Sequence, residues 1–262
     1  MKKKHTKAKK LEFDWTVARK LLFMCLWVVV SILAVQFIVG FLMIRLLSRD
    51  IFAQPVWTAV YSAITYVLAM ALIIWVPPAI IAKWRKNKKT KYVSRDDLGL
   101  RDWPTWTDVG LGPVGFIVAT LLAALLVGLF TVFPWFNAEE AQNTGFTTFV
   151  VGADRIIAFL TLVVIAPIAE EIIFRGFLYG KIRQLLHDRI SEKWGIAISI
   201  LVVSALFGII HMQWNVGVNV FALSVVLCAL REITGTIYAG ILTHMIKNGV
   251  AFYLLYVLGL GV

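Results

Sequence analysis

Apolar runs of bilayer-spanning length recur along this chain, and one of them, Ile156 to Ile173, accepts two adjacent carboxylates, Glu170 and Glu171, near its end. A hydrocarbon core about 30 Å thick needs about 20 apolar residues to cross it as a helix. Only helices and closed barrels satisfy every backbone polar group in lipid, and runs of this length select helices. Composition agrees: 60% of the 262 residues are hydrophobic, 16% are charged, and the mean hydropathy is +0.82. A soluble domain of this size does not have that balance. The fold class is therefore all-α, a polytopic transmembrane helical bundle.

Seven spans are expected, with eight as the alternative. They are Leu21 to Ile44, Val56 to Ala82, Val109 to Phe133, Ile156 to Phe174, Ile196 to His211, Val216 to Leu230 and a last one starting near Thr236. The first run is too long for a signal-peptide core and is read as a retained span. Pro77-Pro78 should kink the second or end it early. Lys181 to Lys193 mixes basic with apolar residues and reads as an amphipathic cytoplasmic helix. Three stretches follow: a basic cytoplasmic tail (1–20), N-terminal spans with a polar interfacial segment (21–108), and a membrane domain carrying the chemistry (109–262). Cys25 and Cys228 both fall in apolar runs and read as packing residues.

The net charge of +11 raises the question of nucleic acid, but its placement answers it. One cluster is the tail (Lys2, Lys3, Lys4, Lys7, Lys9, Lys10); the other follows the second span (Lys83, Arg85, Lys86, Lys88, Lys89, Lys91). Both flank apolar runs, as the positive-inside rule expects of cytoplasmic segments. The expected partners are anionic lipids at these flanks, with no nucleic acid, and the N-terminus is cytoplasmic in a multi-pass cell-membrane protein.

Ionisable groups at membrane depth cost about 2.5 to 3.5 kcal/mol on insertion scales, and they face a protein interior or a wet cavity. Glu171 and Arg175 are four apart and share a helix face, while Glu170 points about 100° away. An ion pair between Glu171 and Arg175 leaves Glu170 free. A carboxylate desolvated among apolar neighbours can take and return a proton near neutral pH. The plainer reading is that all three mark the cytoplasmic end of the span. Phe207 lies one turn before His211 on the same face, with Gly208 opening space between them. His244 and Asn248 are four apart, a turn after Gly240, and two stacked donors could hold a developing oxyanion. A polar pair joining helices would use the same spacing.

Taken together, Glu170-Glu171-x-x-x-Arg175, Phe207-x-x-x-His211 and His244-x-x-x-Asn248 resemble the three motifs of the CPBP family of intramembrane proteases, also called Abi or CAAX-protease-like. The stretch Arg231 to Thr236 is similar as well, and the resemblance spans Val109 to Asn248. It implies an intramembrane endopeptidase acting on a membrane-embedded or membrane-associated peptide, including lipid-modified tails. By matching position, Glu170 is the water-activating base with His211 assisting, His244 and Asn248 hold the oxyanion, and Glu171, Arg175 and Phe207 support the site. Zinc remains open as a cofactor. One carboxylate with two imidazoles is a known catalytic zinc set, but the His-Glu-x-x-His signature is absent and a metal-free, glutamate-based mechanism uses the same residues. The alternative function is a non-catalytic membrane partner in bacteriocin immunity or signalling. A simple hairpin would separate Glu170 from His211, so a single site needs the fourth span to continue towards Gly180, or the fifth to start deeper or tilt.

Overall fold

The computed structural model describes residues 15–52, 54–84, 93–101, 103–140 and 152–259. The lysine-rich tail and residues 85–92 of the second basic cluster lie outside them. Among the described residues, six helices are long and apolar enough to cross a membrane, which marks a multi-pass membrane protein.

Helix α1 (Trp15–Leu46) carries no charge between Lys20 and Arg45. Its buried residues Val28, Ser31, Val35, Val39 and Met43 repeat every three or four positions. That stripe packs on α3, and Leu22, Phe23 and Phe37 are among the large side chains it leaves facing outward. A helix that is apolar all round suits lipid on one side and protein on the other. After a single turn, α2 (Arg49–Phe52), helix α3 (Pro55–Trp84) begins on a proline, whose missing N–H has no partner at a first turn anyway. It then runs through Pro77-Pro78, so the expected early end does not occur. In spanning helices, neighbouring groups and small local adjustments satisfy the carbonyls that proline leaves behind.

Helix α4 (Trp106–Phe130) opens with a capping box in which Thr105 and Asp108 exchange side-chain and backbone bonds. The other carboxylate oxygen of Asp108 accepts from Thr236 Oγ1 at 3.1 Å, fixing the start of α4 to a distant corner. Helix α5 (Ala153–Leu186) is one continuous 34-residue helix. It absorbs the first half of the segment expected to be a separate amphipathic helix, and a turn at 187–190 absorbs most of the rest. The reason is packing: Ile182 and Leu186 are buried in the same core as Phe174 and Leu178, so the apolar face continues past the expected boundary.

Helix α6 (Glu192–Ile209) returns beside α5, and α7 (Trp214–Thr234) is the central helix, packed on α4, α6 and α8. Gly208 and Gly217 set the crossing of α6 on α7: a Cβ on Gly208 would sit 2.8 Å from the Gly217 carbonyl oxygen. Gly235, at φ +70°, ends α7 in the left-handed conformation that glycine adopts without penalty. Helix α8 (Tyr238–Phe252) then enters the bundle and continues in wider turns to Val257. Among the described residues it is not one of the helices long and apolar enough to cross a membrane, so six of the expected seven spans are found and the seventh is not confirmed.

At the end of the bundle holding the α7–α8 corner, Arg183 grips Glu232 through two bonds of 3.1 and 2.9 Å, and Tyr179 Oη donates to the same carboxylate at 2.6 Å. Residues 93–101 fold against this corner. Ile237 N–H donates to the Gly99 carbonyl at 3.1 Å, and the Leu98 carbonyl comes so close to Gly176 that a Cβ there would sit 2.9 Å from it.

Candidate active site

The length of α5 determines where its carboxylates lie. Glu170 is sixteen residues before Leu186, about 24 Å along the axis at 1.5 Å per residue. His211 follows the last residue of α6 by two and lies about 28 Å from its start by the same rise. The two arms therefore bring Glu170 and His211 to similar heights. The reading in which Glu170, Glu171 and Arg175 merely mark a helix end does not apply, because the helix continues well beyond them.

Within α5, a short regular segment, Ala166–Glu171, carries both glutamates. It is bracketed by wider π-type turns at Leu160–Ile165 and Ile172–Tyr179. Pro167 lies in its first turn, where a missing N–H interrupts the regular ladder. Such π-type turns occur often at functional sites, because they re-aim side chains that a regular helix would point elsewhere.

The two carboxylates have opposite surroundings. Glu171 is fully buried. Its Oε1 accepts from Arg175 Nη1 at 2.8 Å and from His244 Nδ1 at 3.0 Å. Its Oε2 lies over Gly240, where a Cβ would come within 3.2 Å of it. Arg175, also fully buried, rests over the equally buried Phe207 ring at 4.4 Å, a cation–π contact. Phe207 also meets His211 at 5.0 Å and His244 at 6.0 Å between ring centres, so one aromatic ring separates and positions three of the polar groups.

Glu170 is instead turned towards a cavity of about 300 Å³ that it shares with His211, and 19% of its side chain is exposed. Its Oε1 accepts a hydrogen bond from Tyr66 Oη at 2.8 Å. Its Oε2 is 3.7 Å from His244 Nε2. Because Nδ1 of His244 is engaged by Glu171, the imidazole bridges the two carboxylates, with Nε2 facing Glu170. His211 donates from Nδ1 to the Phe207 carbonyl at 2.7 Å, and a carbonyl only accepts, so Nε2 is left as the basic nitrogen. His211 lies in the turn outside both adjoining spans. Burial holds its imidazole below the ordinary range, and the negative charge of Glu170 opposes that effect. The neutral ring is the form that can accept a proton.

Asn248 is placed differently from the other motif residues. Its Nδ2 donates to the Leu162 carbonyl at 2.9 Å and ties α8 to the first π-type turn of α5. An amide nitrogen carries two hydrogens, so one donor remains beyond that tie. Two further residues enter the site without having been singled out. Tyr66 comes from α3, and Lys247 acts electrostatically on both Glu170 and His211. Among the described residues, no three His, Cys, Asp or Glu side chains are grouped so that they could hold a metal ion. The Nδ1 atoms of both histidines are committed to protein acceptors, which leaves Nε2 of each ring as the nitrogen that a metal ion or a proton would take.

Residues 152–250 match the family model described as Type II CAAX prenyl endopeptidase Rce1-like. This is the CAAX-protease-like family that the three motifs resemble. The match covers α5 to α8 up to Val250 and contains all seven motif residues; the resemblance read from the motifs reached back to Val109. Tyr66 and the whole of α1 and α3 lie outside it. No curated protein and no solved structure matches the chain significantly.

Proposed function

We propose that the protein is an intramembrane endopeptidase that hydrolyses a peptide bond in a membrane-associated or lipid-modified substrate, using water activated by Glu170. The observation that carries this reading is the division of labour between adjacent carboxylates. Glu171 is paired with Arg175 and hydrogen-bonded by His244, whereas Glu170 faces a cavity and accepts from Tyr66.

In the proposed reaction Glu170 takes a proton from water, and the resulting hydroxide attacks the scissile carbonyl carbon. The C=O electrons move onto oxygen, and the tetrahedral oxyanion is stabilised by the second N–H of Asn248 and by Nε2–H of His244, a donor that the ring offers only in its doubly protonated form because Nδ1–H is held by Glu171. Collapse breaks the C–N bond, and the proton held by Glu170 passes to the departing amine with Nε2 of His211 as its relay. A positioned base contributes about 10² to 10⁴ in rate, and one oxyanion donor about 10² to 10³. No step is assigned to a metal. The substrate reaches the site from the bilayer, since its residues are carried by membrane-crossing and membrane-embedded helices. The basic residues at the start of α1 favour a cytoplasmic N-terminus in the cell membrane.

The test is incubation of the purified protein, in liposomes, with membrane-anchored peptides ending in prenylated and unprenylated CAAX-like tails, with and without a chelator. Mass spectrometry reads the products. Cleavage at one bond, at the same rate with the chelator present, is the expected outcome. Failure to cleave any anchored peptide would remove the proposal, and abolition by the chelator would remove its metal-free form.

A further inference from the structure

A second polar feature lies far from Glu170. Where the first turns of α1 meet the end of α5, an open cavity of about 690 Å³ brings together Arg19 and Lys20 from one helix with Lys181 and Arg189 from the other. Among the described residues, no carboxylate lines it. None of the four cations has an ion pair among the described residues. The nearby acids are engaged elsewhere: Asp188 pairs with His187 at 2.9 Å, Glu192 acts on Arg183, and Asp97, which lines the adjoining cavity with Lys181, accepts from Ser94 N–H and Oγ at 2.9 and 2.8 Å. Four like charges facing one space repel one another, and an anion placed between them removes that repulsion.

The floor of the cavity identifies the kind of anion. Phe23, Met24 and Leu185 form it, with Phe23 well exposed. Lys20 is the last charge before the uncharged run of α1, so the cations stand at headgroup level and the apolar floor at the first turn of the hydrocarbon. A soluble phosphate would meet the charges but gain nothing from the floor. A phospholipid meets both: its phosphate oxygens accept from the guanidinium forks and ammonium groups, and its glycerol and upper acyl carbons cover the apolar residues.

We propose that this cavity is a binding site for one anionic phospholipid, held by Arg19, Lys20, Lys181 and Arg189. It differs from the contacts expected at the lysine-rich tail and the second basic cluster, which involve other residues. The bound lipid joins α1 to α5, fastening the N-terminal helices to the helix that bears Glu170, and it stabilises the folded bundle by mass action. The inference does not depend on the protein being a peptidase.

Native mass spectrometry of the full-length protein released from phosphatidylcholine discs containing a minority of phosphatidylglycerol tests it. The wild type should retain one phosphatidylglycerol under conditions that strip phosphatidylcholine. At about 1 kcal/mol per basic residue, the double variant Lys181→Gln/Arg189→Gln should bind it roughly tenfold or more weakly. Adding Arg19→Gln and Lys20→Gln should abolish retention. Gln at all six tail lysines (Lys2, Lys3, Lys4, Lys7, Lys9 and Lys10) should leave retention unchanged. Thermal unfolding in phosphatidylcholine alone shows whether each variant folds, and the double variant, altered at a half-buried and an exposed side chain, keeps the test open if the fourfold one does not. Unchanged retention in the double variant, or loss in the tail variant, overturns the site. Equal protection of the wild type against heat by inorganic phosphate overturns the assignment to lipid.

Discussion

Helices α1 and α3 and the helices of the matched segment meet lipid in similar ways but bury different chemistry. About 28% of the apolar window of α1 and of α3 is buried, against 44% for α5 and 50% for α7. The buried stripe of α1 is apolar except for Ser31. The matched segment buries Glu171, Arg175 and His244 together, and leaves Arg175 Nε and Nη2 and Glu171 Oε2 without hydrogen-bond partners among the described residues. Burying charge this way adds little to stability, because desolvation offsets most of the Coulombic gain. A chamber of this kind is maintained for what it positions. The N-terminal pair is scaffold along most of its length, but at Tyr66 it reaches the carboxylate that the chamber leaves free.

That contrast can be broken most forcefully at Arg175. Arg175→Leu leaves the buried Glu171 carboxylate with His244 as its remaining hydrogen-bond partner and no guanidinium beside it, and should destabilise the protein by about 3 to 5 kcal/mol, measured by thermal or denaturant unfolding in detergent. A variant as stable as the wild type would show that the charge pair is not what the chamber relies on. Next in size is Gly240→Ala, whose added Cβ lies 3.2 Å from Glu171 Oε2 and forces the carboxylate or α8 to shift. A loss of about 1 to 3 kcal/mol is expected, with a fall in cleavage rate. Full activity at normal stability would mean that the Glu171–His244 contact tolerates displacement.

Tyr66→Phe has the smallest effect and sharpens the comparison most. It removes one donor to Glu170 and nothing else, so cleavage should fall roughly fivefold, equivalent to about 1 kcal/mol, with the melting temperature nearly unchanged. Tyr61→Phe on the same helix and cavity wall removes a hydroxyl bonded to the Gln36 carbonyl and to Thr65 rather than to Glu170, and should leave the rate nearly unaltered. Equal effects of the two substitutions would reduce α3 to scaffold.

Much of this was legible beforehand because it rests on local periodicity. Apolar run length located six of the seven expected spans, although it ended the fourth well short of Leu186, and the i, i+4 spacing placed Arg175 on Glu171. Other features depended on tertiary packing. The continuation of α5 past Phe174 depends on Ile182 and Leu186 finding a core, and the short course of α8 depends on its docking against α4 and α7. Tyr66 had no signal at all: it is one aromatic residue in a generic apolar helix, 104 positions from the carboxylate it contacts. Asn248 shares a helix face with His244, but the face alone could not show that its amide would be drawn to the Leu162 carbonyl.

The central claim is that Glu170, and not its buried neighbour, handles the proton of the attacking water. Single-turnover cleavage of an anchored peptide by Glu170→Gln in liposomes tests it most directly, with unfolding measured on the same preparation. The account predicts an unchanged melting temperature and a rate lower by roughly a hundredfold or more. A rate within a few fold of the wild type, from a protein that melts normally, would contradict it.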